Sequence, residues 1–108
     1  MTEDELKNII TSYDSVERDA RSTDEWTLYS LRGEVMAALS RGKTPVRLVL
    51  RCDKNLAREL KAEYESVVNP ISLSKNNFIQ ILLVGQLKDN EVKDLIRHAY
   101  EMTRGIME

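Results

Sequence analysis

Three apolar runs in the first half of the chain predict β-strands, and the third of them alternates apolar and polar positions with the period of two that is typical of strands. The runs WTLYSL and EVMAALS flank Arg32-Gly33, whose glycine favours the positive φ of a tight hairpin turn. The clearest run is VRLVLR, in which apolar residues alternate with mostly basic ones. It predicts a strand with one face, Val46, Leu48 and Leu50, on a core and the other face largely in water.

Three other segments repeat apolar residues at the helical spacing of three and four positions. The first begins at a capping-box pattern, Thr2 followed three residues later by Glu5. Asp53 offers an N-cap to the second helix, and Asp89 or a near neighbour caps the third, which is predicted over residues 89–106. The buried stripe of this third helix is predicted to be Val92, Leu95, Ile96, Ala99, Thr103 and Ile106.

Two further strands are predicted between the second and third helices. VVNPISLS contains Pro70, which cannot donate a ladder hydrogen bond and therefore indicates an edge or a bulge. After the turn SKNN, the run FIQILLVG has apolar residues on both faces, as in a strand covered on both sides or inside a dimer. Ile79, Ile81 and Leu83 are assigned to the core with the apolar face of VRLVLR.

The predicted order is helix, three strands, helix, two strands, helix. This order favours a two-layer α+β fold, with a mainly antiparallel five-stranded sheet and helices on one face. The length of 108 residues predicts a single domain over residues 1–108.

Composition narrows the class of protein. Hydrophobic residues make up 42% and charged residues 31%, as in ordinary globular proteins. The first residues are acidic where a signal peptide would be basic, and no apolar run approaches the ~20 residues that span a bilayer. The single cysteine, Cys52, suits a reducing compartment. We therefore expect a cytoplasmic protein without a membrane segment.

No pattern in the sequence indicates a catalytic reaction. His98 is the only histidine and lies beside the predicted core stripe of the last helix, which favours a surface or boundary position over a catalytic one. The glycines stand apart, so a glycine-rich phosphate loop is absent. The acidic first helix could offer oxygen ligands to a cation, but such a site would be diffuse. We therefore expect no enzyme activity, no cofactor and no resident metal.

Charge is distributed unevenly along the chain. Residues 41–61 carry a net charge of +5, whereas residues 1–40 carry −5 and residues 62–108 carry −2. The basic segment contains no aromatic residue, which argues against a platform for single-stranded nucleic acid. There are two interpretations of this basic segment. Its charges converge to contact a phosphate backbone, or they form an ordinary solvated surface whose charge is balanced by the acidic first helix.

Two longer segments suggest a family. VRLVLRCDKNLARELKAEY and VVNPISLSKNNFIQILLVGQLKDNEVKDLIRHAYEM resemble the YjbR/MmcQ family, in which an Asn-Lys-x-x-Trp element opens a strand. Lys75 matches the family's lysine, while Ser74 and Phe78 stand where the family has Asn and Trp. Glu34 stands where such proteins tend to carry lysine. The resemblance implies a bacterial protein with a CyaY-like α+β fold, similar in outline to secretion chaperones.

Two functions follow from this resemblance and the basic segment. The family is usually labelled as DNA-binding, which implies weak binding of double-stranded DNA through phosphate contacts. The alternative is a protein-interaction or chaperone-like adaptor module that presents its sheet or an edge strand to another polypeptide. In either role the chain is expected to be a monomer or weak homodimer. The residues predicted to bind nucleic acid are Arg41, Lys43, Arg47, Arg51, Arg58 and Lys75, with Arg47, Arg51 and Arg58 on one surface and Lys75 near its rim.

Overall fold

The structure, a computed structural model, describes residues 1–71, 73 and 77–107. Within these residues the chain forms three helices and six strands. In chain order they are α1 (Glu3–Thr11), β1 (Val16–Arg18), β2 (Trp26–Leu31), β3 (Glu34–Ser40), β4 (Arg47–Arg51), α2 (Lys54–Glu63), β5 (Val67–Val68), β6 (Phe78–Leu82) and α3 (Asp89–Met107).

The strands form one sheet in the order β1-β2-β3-β4-β6-β5, and every neighbouring pair is antiparallel. The predicted α+β class is confirmed, but the prediction of five strands is wrong, because the described residues form six. The additional strand is β1, whose three residues are too few to show an alternating pattern. It pairs with the end of β2, where Val16 lies opposite Leu31.

The three helices cover one face of the sheet. Residues of all three pack against Leu48, Leu50, Ile79 and Ile81, each fully buried in the largest apolar cluster. Val46 and Leu83, also predicted as core, are half-buried at its margin. The opposite sheet face has no helix over it within the described residues, and we call it the open face.

Local signals start the helices where the sequence predicts. The Thr2 hydroxyl accepts from the backbone N–H of Glu5 at 3.1 Å, and the Glu5 carboxylate accepts from Thr2, which completes the capping box. The carboxylate of Asp53 caps α2 by accepting from two backbone N–H groups. α3 runs to Met107, but Ile106 is 51% exposed, so its assignment to the buried stripe is wrong. No helix of the described chain is both long and apolar enough to cross a membrane.

The β2–β3 hairpin closes through Arg32 and Gly33, both at positive φ, 51° and 87°. Two successive positive φ angles give the twist that a two-residue hairpin favours, and glycine adopts this conformation at low cost. A register shift opposite Tyr29 and Ser30 gives β3 one additional residue, which is a β-bulge.

The outer side of β2 is bonded along its length. β1 covers its last residues, and the loop of residues 19–23 covers the rest. In this loop Asp19 and Thr23 donate backbone N–H groups to Leu28 and Trp26, each at 2.8 Å. The Ser22 hydroxyl accepts from the backbone N–H of Leu28 at 2.9 Å.

Candidate functional site

An apolar row crosses the open face from strand to strand. The register places Leu28 opposite Ala38, Ala38 opposite Val49, and Val49 opposite Gln80. Ala38 and Val49 form a second apolar cluster with Phe78, separate from the core under the helices. The sequence predicts this face to be largely in water, and that prediction is wrong, because Val49 is only 3% exposed.

A cleft of about 270 Å³ lies over this row. Two segments border the cleft. The half-buried Trp26 on β2 lies at one side, and residues that follow β5 lie at the other. Its apolar lining comprises Trp26, Leu28, Ala38, Val49, Pro70, Ile71 and Leu73. Ile71 is 91% exposed, more than Val84 and Ile106, the two other exposed large apolar residues in the described part of the chain. We call this feature the open-face cleft.

Arg47 stands beside the row. It is two residues from Val49 on β4, so its side chain is directed to the same face. Its backbone N–H donates to the Ser40 hydroxyl at 2.8 Å. The Arg47 Nε atom is buried and makes no hydrogen bond, and no acidic residue of the described chain forms an ion pair with Arg47. A buried donor without an acceptor is rare in folded proteins, and it marks a position where a ligand could supply one.

Arg51, on the other side of Val49, uses its charge within the protein. Its guanidinium lies 4.6 Å from the centre of the Phe78 ring, and its Nε donates to the carbonyl of Val35 at 2.8 Å. Glu34 approaches it at 3.9 Å. The Arg51 side chain is only 13% exposed, and burial lowers its pKa. Arg51 therefore shapes the wall of the open face and has little surface left for a phosphate.

The other predicted basic residues lie elsewhere. Arg41 and Lys43 are exposed in the β3–β4 loop, where Arg41 donates to the Thr23 carbonyl at 2.9 Å. Arg41 also borders a different cleft, shared with the acidic Glu3 of α1. Arg58 is exposed on α2, a helix that packs on the opposite sheet face. Lys75 lies outside the described residues.

The six predicted residues are therefore not brought to one surface. Arg47 and Arg51 share the open face as predicted, because they are four residues apart on one strand. The structure does not bring Arg58 to that surface, since the chain turns after β4 and α2 packs against the core under the sheet.

Groups with catalytic potential are placed in structural roles. Cys52 is buried, and burial raises the pKa of its thiol to about 11. His98 Nε2 accepts the backbone N–H of Asp53 at 3.1 Å, so it joins α3 to the start of α2. No group of three or more metal-ligating side chains occurs among the described residues.

Sequence reasoning missed the open-face cleft because its parts are distant in the sequence. Trp26, Val49 and Gln80 each belong to a different strand and meet only through the strand order. One signal was available: Val49 is an apolar residue between Arg47 and Arg51 on the face predicted to be in water.

Comparisons with solved structures support the fold. A Deinococcus radiodurans protein with a DUF419 domain superposes with a TM-score of 0.85 at 20% identity, covering 94% of this chain and 77% of that one. A Pseudomonas syringae protein superposes with a TM-score of 0.76 at 16% identity, covering 95% and 99%. Identities this low show the fold alone. No curated protein matches the chain significantly.

The family model described as YjbR matches residues 3–102. This span includes every strand of the sheet, the first two helices and most of α3. The resemblance found in the sequence is thereby confirmed, and the chain belongs to the YjbR family.

Proposed function

We propose that the chain is a non-enzymatic binding module that receives apolar side chains of another polypeptide in the open-face cleft. The observation that carries the proposal is an apolar concavity at the centre of a sheet face that no described helix covers. Exposed apolar surface of this kind is typical of interaction sites.

The size of the cleft supports a polypeptide ligand. At about 270 Å³ it is at the lower end of the ~300–1,000 Å³ that is typical of small-molecule and cofactor sites. It suits one or two anchoring side chains, and such anchors in desolvated pockets dominate the affinity of many protein interfaces. Trp26 and Ile71 at the two sides offer the contact area for this.

The positions of the reactive groups support a binding role. Cys52 is buried as the thiol, and His98 accepts a backbone hydrogen bond, so neither forms a nucleophile with a base. The single thiol also suits the reducing cytoplasm, where we place the module.

A library of random peptides displayed on phage and selected against the chain tests the proposal. Selected peptides should carry large apolar residues and should change the emission of Trp26, the only tryptophan. Ile71→Ser should weaken their binding at least severalfold. Ile106→Ser is the matched control, since Ile106 is also exposed but lies on α3. Failure to enrich any peptide, or equal effects of the two substitutions, would contradict the proposal.

Binding of double-stranded DNA is a second candidate. It is favoured by Arg41 and Lys43, two exposed cations on the same β3–β4 loop. It is weakened by the internal contacts of Arg51 and by Arg58 on the opposite side of the sheet.

A further inference from the structure

We infer that the polypeptide bound in the open-face cleft carries an acidic side chain beside its apolar anchor, and that Arg47 holds this carboxylate. The inference rests on the proposed function and adds the chemistry of the ligand. It follows from the position of an unpaired guanidinium next to an apolar concavity.

Arg47 is available for an external partner. The described residues form ion pairs between Asp19 and Arg21, Glu34 and Arg51, and Asp94 and Arg97, and Arg47 takes part in none of them. Its Nε is buried without an acceptor. The residue as a whole is only half-buried, and a carboxylate that binds its guanidinium would form charge-assisted and commonly bidentate hydrogen bonds.

The place of Arg47 along the cleft indicates which carboxylate it binds. Leu28, Ala38, Val49 and Gln80 stand on four adjacent strands, which span about 14 Å at the usual strand spacing. An extended segment of about four residues covers this distance. Arg47 lies on β4, next to Val49, which is an inner residue of the row, so it meets a side chain within the segment rather than a terminal carboxylate.

Two other occupants fit the charges less well. In a symmetric dimer through this face, the unpaired Arg47 of both copies would lie on one shared interface, where like charges repel. A phosphate backbone would pair with Arg47 but would leave the apolar cleft beside it unfilled. A segment with one apolar and one acidic side chain satisfies both features.

The test compares two synthetic peptides that share an apolar anchor taken from the selected sequences. One carries Glu next to the anchor and the other carries Gln, and both have amidated C-termini. Affinity is measured by anisotropy of the labelled peptide and by the emission of Trp26. We expect the wild-type chain to prefer the Glu peptide about tenfold, as for a hydrogen bond between charged groups.

Substitutions assign the preference to Arg47. Arg47→Met keeps an apolar stem and should abolish the preference while the Gln peptide still binds. Arg47→Lys should retain part of the preference, because the charge remains without the fork of donors. Arg58→Met is the control on the opposite side and should leave the preference unchanged.

Each outcome is decisive. If wild type binds both peptides equally and Ile71→Ser weakens both, the inference is wrong and the proposed function stands. If neither peptide binds, both are wrong. If the emission of Trp26 instead changes with protein concentration, and Ile71→Ser removes that change, a second copy occupies the cleft and the inference is overturned.

Discussion

Leu48 lies on β4, an inner strand of the sheet, and is fully buried beneath the helices. Leu48→Ala should lower the free energy of unfolding by about 2–5 kcal/mol, because the surrounding side chains only partly fill the space that is left. Chemical denaturation measures the loss. Val84→Ala, at a position that is 61% exposed, should change stability by less than about 0.5 kcal/mol. A loss below about 1 kcal/mol for Leu48→Ala would place this residue outside the core.

Asp19 makes stability depend on acid. Its carboxylate is 7% exposed and accepts hydrogen bonds from the side chain and the backbone N–H of Arg21, each at 2.8 Å. These bonds hold the pKa of Asp19 well below its usual value of 3.8. Because the folded pKa is lowered, the carboxylate stabilises the fold above pH 3.8, and this contribution is lost as the pH falls toward the folded value.

Asp19→Asn should therefore be less stable than wild type near neutral pH, and the difference should shrink on acidification. Denaturation midpoints at neutral pH and near pH 3 measure this. Asp94→Asn is the control, since Asp94 forms an exposed pair with Arg97 at 3.6 Å and such pairs contribute little. A difference that stays constant with pH would show that the charge on Asp19 is not what stabilises the fold.

At the scale of elements, α2 depends on its cap. The Asp53 carboxylate accepts from the backbone N–H groups of Asn55 and Leu56 at 3.0 and 3.1 Å. Asp53→Ala should cost about 1 kcal/mol, the usual cost of losing an N-cap. The measurement is urea denaturation beside Asp94→Ala, which removes a carboxylate from within a helix. Equal losses for the two variants would argue against a capping role.

Elements with local signals could be predicted from the sequence. The capping box of α1, the positive-φ pair at Arg32-Gly33 and the alternation in β4 are each encoded within a few residues. β1 was missed because three residues carry no readable period, and the bulge in β3 was missed because only the register reveals it. Both depend on pairing with β2, which is a tertiary contact.

The candidate site was predicted only in part for the same reason. Alternation along one strand places Arg47 and Arg51 on one face, and this holds in the structure. The alternation does not reveal that the Arg51 guanidinium would pack against the Phe78 ring. It also does not reveal that residues from three other strands would make the space beside Arg47 apolar. Those facts follow from strand order, which the local pattern does not contain.

At the scale of the whole molecule, the basic segment is divided between the two sides of the sheet. If the chain binds duplex DNA, the double substitution Arg41→Ala and Lys43→Ala should flatten the slope of log affinity against log salt by roughly two units. Arg51→Ala should change the slope little, because Arg51 is engaged with Phe78 and Val35. Fluorescence anisotropy over several salt concentrations measures this. Absence of binding at about 50 mM salt would remove this candidate.

The covered side of β2 has a consequence for how the protein behaves in concentrated solution. A chain that exposes Ile71 and a cleft containing Trp26 is prone to aggregation. An exposed edge strand with unpaired backbone groups would add a template for fibril growth. The loop of residues 19–23 forms hydrogen bonds with the backbone groups of Trp26 and Leu28. At the opposite margin of the sheet, β5 has only two residues, and Pro70 follows two residues after it. The outermost strands, β1 with three residues and β5 with two, offer little template for strand-on-strand stacking of copies, so the apolar surface can remain accessible without seeding fibrils.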